Sequence, residues 1–243
     1  MSRVVADEPG YVLHSAHYKE TSVILSLFTL NHGVVQLIAK GARRPKSPLK
    51  STLQIFRPLL VNWVGSGDLK TLIGAETASS FYLNALPSSG LAYCSGLYIN
   101  ELLTRLLPRG GPSEEIFSAY VTAISELFST AQVEPALRRF EMAFLRELGA
   151  LPDFEYDLDT GAAIEPSRFY RMHHHAGFVR ADEQSRGALP GKHIIDCCTL
   201  DFNDAGSRRS AKIIARTLID NQLQGRALNS REMIRKLMEY KHG

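Results

Sequence analysis

Five cations, Lys40, Arg43, Arg44, Lys46 and Lys50, fall within the stretch "AKGARRPKSPLKS", which contains no acidic residue. Point charges at this density suit a sugar–phosphate chain, because neutralised phosphates release counterions whatever the base sequence. Gly41 would let a phosphate come close to the backbone. The plainer alternative is a solvated turn. Arg208, Arg209, Lys212 and Arg216 recur at helical spacing and make a second candidate for DNA contact. They also suit the outer face of any amphipathic helix. A third group, Leu137, Arg138, Arg139 and Phe140, has the chemistry of an apolar slot with a basic rim, which would receive an acidic peptide ending in apolar residues. Against that stands a surface pair with Glu134, Glu141 and Glu147 as ion partners.

Other suggestive groups fail on spacing. His173, His174 and His175 are consecutive, so on a strand they point to alternate faces, and no thiolate lies near. Asp153, Glu155, Asp157 and Asp159 alternate, but a calcium loop counted from Glu155 meets Thr160 at its glycine position and Pro166 at its final acid position. Counted so that Gly161 fits, the ligand positions become Tyr156, Leu158 and Thr160. Cys94, Cys197 and Cys198 form no framework or zinc spacing; they suit buried thiols in a reducing compartment. There is no nucleophile elbow, phosphate-binding Gly loop or HExxH. We therefore expect no enzyme, no metal and no cofactor.

A chain of 243 residues with 44% hydrophobic and 22% charged residues is an ordinary globular protein of one or two domains. The opening "MSRVVADEPGY" lacks the apolar core of a secretory signal and no run reaches the length of a membrane span, so a cytoplasmic protein is expected. Net charge is only +3, yet it is unevenly spread. Residues 1–80 carry nine bases to five acids, 81–150 five to seven, and 208–243 nine to three. Two basic zones around an acidic middle suggest a polyanionic partner.

These residues must be held by elements that the hydrophobic pattern predicts. "YVLHSAHY", "SVILSLFT", "GVVQLIAK", "PLLVNWVG" and "LKTLIGAETA" read as strands, with Asn31-His32-Gly33 and Gly65-Ser66-Gly67-Asp68 as tight turns. Val35, Leu37 and Ala39 share one face of the third strand; Val34, Gln36 and Ile38 share the other. Five strands with one long connection between the third and fourth fit an OB-type Greek-key barrel. The basic segment is that connection, and Pro45 and Pro48 make it a surface loop. Tyr11, Tyr18, Phe28, Phe56 and Trp63 are candidates for base stacking, with core packing the commoner fate. After Gly90 the period turns helical: "GLAYCSGLYINELLTRLLP", "PSEEIFSAYVTAISELF" capped by Ser113, and "PALRRFEMAFLRELG" with Leu137, Phe140, Phe144 and Leu148 as its buried stripe. Leu151–Gly191 is irregular, with a short hairpin around "FYRMHHHAGFVR". Two helices close the chain, the second opened by Asn229 and Glu232 at capping-box spacing. The expected class is α+β: an OB barrel over 1–80, then a mainly helical domain over 81–243 with an irregular insertion at about 150–191.

In this order, "LIAKGARRPKS", "SGLYINELLTRLLP", "EPALRRFEMAFLRELG" and "LNSREMIRKLM" resemble the bacterial recombination mediator RecO family across nearly the whole chain. The resemblance implies binding of single- and double-stranded DNA, annealing of complementary strands, and a place at the nucleoid. It also implies contact with the tail of single-stranded DNA-binding protein, for which Leu137, Arg138, Arg139 and Phe140 are the candidate site, and partnership with RecR in loading RecA. Many relatives hold zinc through paired C-x-x-C cysteines after the third helix. The corresponding "LPDFEYDLDTGAAIEPSRFYRMHHHAGF" has none, so the zinc is expected to be lost. Two rival readings are a protein-interaction adaptor without direct DNA binding and a metal-dependent nuclease; the sequence offers the nuclease no ligand set.

Overall fold

The computed structural model describes residues 4–78, 87–108, 110–129, 132–173 and 175–242. Five strands, β1 (Val4–Tyr18), β2 (Ser22–Thr29), β3 (Gly33–Ala39), β4 (Pro58–Val64) and β5 (Leu69–Thr77), close into a barrel in the order β1-β2-β3-β5-β4. A one-turn helix, α1 (Leu49–Thr52), interrupts the connection from β3 to β4. Neighbouring strands are antiparallel except β3 and β5, whose parallel pairing closes the OB-type shell. Alternation on β3 works as expected: Val35, Leu37 and Ala39 enter a core with Leu25, Leu27, Val61 and Trp63.

β1 begins earlier than the pattern predicts. Asp7, Glu8, Pro9 and Gly10, which precede the predicted "YVLHSAHY", lie within a strand that pairs with β4 from Val4 to Tyr11 and with β2 from Gly10 to Tyr18. Register shifts between Val5 and Glu8 and between Val12 and His14 bend it from one neighbour to the other, the usual use of bulges at barrel corners. Gly10 sits where the strands are closest; a Cβ there would lie 2.9 Å from the Phe28 carbonyl. Glu8 is buried, and it fixes the β2–β3 turn. Its carboxylate accepts from the Asn31 amide N–H at 2.6 Å and from Asn31 Nδ2 at 3.1 Å, with His32 Nδ1 3.3 Å away.

Compactness divides the chain into Met1–Ala131 with Leu228–Gly243, and Gln132–Ala227. In the first unit, α2 (Gly90–Leu106), α3 (Glu114–Ser129) and α7 (Asn229–His242) accompany the barrel. Tyr11 and Phe28 turn outward onto α3, with ring centroids 5.1 Å from Tyr120 and 5.3 Å from Phe117 respectively. Asn100 of α2 donates to the Leu13 carbonyl at 3.0 Å and accepts from the Tyr120 hydroxyl at 3.0 Å. Ser113 caps α3 as expected, accepting from the Ile116 amide at 3.3 Å.

The expected capping box on α7 does not form. Its first amides are taken by Glu101 of α2, which accepts from Asn229 N at 3.0 Å, Ser230 N at 2.8 Å and Ser230 Oγ at 2.6 Å, while Glu232 pairs with Arg235. Burial alone would raise the Glu101 pKa. The hydrogen bonds from Ser230 and Asn229 and the Arg105 guanidinium outweigh it and hold the carboxyl below its ordinary value. A depressed folded-state pKa means the stabilisation is present above the unfolded value and is lost as pH falls through the folded one. Hydrogen exchange of α7 amides should therefore accelerate selectively in acid below the ordinary carboxylate range, and Glu101→Gln should remove most of that pH dependence.

In the second unit, α4 (Val133–Glu147), α5 (Gly191–Thr199) and α6 (Ala205–Leu223) stand with a small sheet. The predicted hairpin is present as β6 (Phe169–His173) and β7 (Gly177–Ala181), joined by the short β8 (Leu189–Pro190) in the order β7-β6-β8. α5 was not legible in the sequence; its nine residues bury only Gly191, Ile194 and Cys197, too few turns to set a period. Asp204 caps α6, accepting from the Ser207 amide at 2.8 Å. Burial pushes the Cys197 thiol up to about 12, as a core thiol requires.

Candidate nucleic-acid interface

The basic loop is ordered by its own backbone. Gly41 takes φ +70°, which only glycine adopts without strain, and Arg44 folds back over it, 3.3 Å from where a Cβ would stand. Arg43 N donates to the Thr21 carbonyl at 2.9 Å, Arg44 N to Gly41 at 3.1 Å, and Ser47 N to Arg44 at 3.0 Å. Pro48 precedes α1, where its missing donor costs nothing. Gln54 Nε2 then donates to the Lys50 carbonyl at 2.6 Å. The loop is thus a surface loop as predicted, with one helical turn that the prolines did not suggest.

Lys40, Arg43, Arg44, Lys46 and Lys50 are all exposed, and none is in an ion pair among the described residues. Arg43 Nη1 donates to the Glu20 carbonyl at 3.2 Å. The loop therefore presents five uncompensated charges. Of the five candidate aromatics, Tyr11, Phe28, Phe56 and Trp63 are buried. Tyr18 is half-buried, with Lys19 Nζ 5.4 Å from its ring centroid.

On α6 the expected cations part company. Arg208 is committed internally: Nη1 donates to the Phe202 carbonyl at 2.8 Å and the Asn203 carbonyl at 2.6 Å, and Nε lies 3.8 Å from Glu134. Arg209 and Lys212 are exposed and, among the described residues, in no ion pair. Arg216 is exposed beside Asp220 at 3.8 Å. Spacings of three and four place Arg209, Lys212 and Arg216 on one face.

The slot expected around Arg138 is turned inward. Leu137 and Phe140 are buried, and Phe140 stacks on Phe144 at 5.8 Å. Arg138, 5% exposed, pairs with Glu141, 2% exposed, at 2.5 Å. α4 is packed over more of its circumference than a single stripe, which draws position 138 into the interior. Of the four expected partner-site residues only Arg139 reaches the surface, and it is half-buried.

Other suggestive groups prove to be structural. Asp153 Oδ1 accepts from the Glu155 and Tyr156 amides at 2.7 and 3.2 Å, and Asp157 Oδ1 from Asp159 at 3.0 Å. These carboxylates shape turns. His173 ends β6 and His175 takes φ +61° in the turn; His174 lies outside the described residues. Among the described residues no three metal-ligating side chains converge. Ser210 Oγ lies 2.9 Å from His193 Nδ1, with Asp204 3.6 Å from Nε2, an order that imitates a hydrolytic triad. Ser210 is buried within α6, however, and these bonds join α5 to α6.

The chain is thus an α+β protein whose OB-type barrel carries a loop of exposed cations and whose second unit carries a basic helix. Residues 1–81 match the family model "Recombination protein O N terminal" and residues 87–232 match "Recombination protein O C terminal". The "DNA repair protein RecO" of Marinobacter nauticus is 41% identical over 240 residues, covering 96% of this chain and 95% of that protein. Those of Glaesserella parasuis and Klebsiella pneumoniae are 39% and 40% identical over 230 residues, each covering 94% of this chain and 95% and 92% of their own lengths. The chain belongs to the RecO family of DNA repair proteins. No helix among the described residues is long and apolar enough to cross a membrane.

Proposed function

We propose that this protein is a non-catalytic recombination mediator of the cytoplasm and nucleoid. It binds single- and double-stranded DNA, anneals complementary strands, and acts with RecR to load RecA onto DNA coated by single-stranded DNA-binding protein. The observation that carries this reading is the ordered loop on an OB-type barrel, with five exposed cations that are in no ion pair among the described residues. Such a loop neutralises phosphates without reading sequence, which a mediator acting at any site requires. Annealing needs relief of repulsion between two polyanions. Arg209, Lys212 and Arg216 supply a second cationic surface, in the other compact unit.

The test is an anisotropy titration of a labelled oligonucleotide alongside a strand-pairing assay. Replacing Arg209, Lys212 and Arg216 with Ala should leave single-strand affinity nearly unchanged and slow annealing by about tenfold or more at low salt. Equal annealing by the variant would remove α6 from the mechanism. Absence of DNA binding at physiological salt would instead favour the adaptor.

A further inference from the structure

Beside the basic loop the barrel is open at one end. Ser15 pairs with Leu25 and His17 with Val23 across β1 and β2; Leu25 and Val23 pair in turn with Leu37 and Ala39 of β3. Directly opposed residues share a face. Leu25, Leu37 and Ala39 belong to the barrel core, so Ser15 and His17 also stand on the inner face, yet both are exposed. They therefore mark the barrel mouth. The loop supplies the opposite wall through Arg43, Leu49, Lys50, Leu53 and Gln54, enclosing a cleft of about 450 Å³. Val23, Leu49 and Leu53 are half-buried and pack onto the core, giving the cleft an apolar floor. Among the described residues no carboxylate lines it.

We propose that this cleft takes a single unstacked nucleobase of single-stranded DNA, with Arg43 and Lys50 on the phosphates to either side. The proposal rests on the loop being a DNA-binding element and adds what distinguishes single strands from duplex. The volume is that of a small-ligand site, and barrel mouths are common places for one. An apolar floor receives the base plane. Its polar edge meets Ser15 and His17, whose side chains make no hydrogen bond among the described residues, and Gln54 Oε1, whose Nε2 is already committed to Lys50. The rim cations run on along the loop through Lys40, Arg44 and Lys46, more charge than a lone carboxylate needs. That excess suits a ligand with one charge on every unit, and only an unpaired base is free to enter.

Three ligands separate base from phosphate: a single-stranded oligonucleotide, an abasic strand of equal length and charge, and a duplex. The wild-type protein is expected to bind the ordinary strand roughly tenfold more tightly than the abasic one, the scale of one favourable base contact. Filling the cleft with the aliphatic Ser15→Ile, or independently with Gln54→Met, should abolish that preference and leave duplex affinity unchanged. Retained duplex binding shows that the loop is folded in each variant. Equal wild-type affinity for the ordinary and abasic strands would overturn the proposal, as would a preference that survives both fillings. Failure to bind any of the three DNAs would instead refute the DNA-binding reading of the loop.

Discussion

With Lys40, Arg43, Arg44 and Lys46 all changed to Ala, the salt dependence of single-strand binding should become shallower by about 2.8 in log–log slope, at ~0.7 for each phosphate released. Over a fourfold rise in salt, that difference corresponds to a roughly 50-fold change in relative affinity. The expectation follows from exposure and lack of partners. Each cation is exposed and, among the described residues, has no carboxylate partner, so its interaction energy is available to a polyanion. Folding should be almost untouched, because among the described residues Arg43 alone of the four makes a side-chain hydrogen bond, to the Glu20 carbonyl. The loop shape depends on backbone bonds and on Gly41, which the variant keeps. Salt titrations by anisotropy, with thermal melts of both proteins, check both halves. A slope equal to that of the wild type would exclude the loop from the interface.

What made this loop legible was local chemistry: a run of cations without acids, between strands whose alternation was plain. The same locality explains the turn at Gly33, which takes φ +62°, and the cap at Ser113. Features set by distant residues were not legible. α7 opens on Glu101, 128 residues away from Asn229, so the local Asn229–Glu232 spacing pointed to the wrong cap. The first half of β1 lies outside the predicted "YVLHSAHY" because it is held by β4, a neighbour distant in sequence, and not by β2. Arg208 looks like its neighbours in the sequence; its commitment to Phe202 and Asn203 depends on how the preceding loop folds back. The barrel-mouth cleft lies beyond any local pattern, since it joins β1 and β2 to a loop through closure of the sheet.

The sharpest of these differences is Arg138, and it carries a large energetic expectation. Read along the helix it is a surface cation; in the structure it is buried against Glu141. Removing one partner takes this ion pair away from the other charge in a poorly solvated place, a loss that typically costs about 3–5 kcal/mol. Arg138→Ala should therefore destabilise the protein by about that much in urea unfolding, with Glu141→Ala comparable. Replacing both together, as Arg138→Met with Glu141→Leu, removes the desolvated charges and keeps the volume. That double variant should lie within about 1 kcal/mol of the wild type. The pattern matters for testing the proposed partner site, because any loss of peptide binding in Arg138→Ala could come from destabilisation of its unit alone. If the double variant recovers stability and still binds an acidic, apolar-ended peptide, Arg138 is structural. If Arg138→Ala is as stable as the wild type while peptide binding disappears, the guanidinium reaches the ligand and the burial described here is not the state that binds.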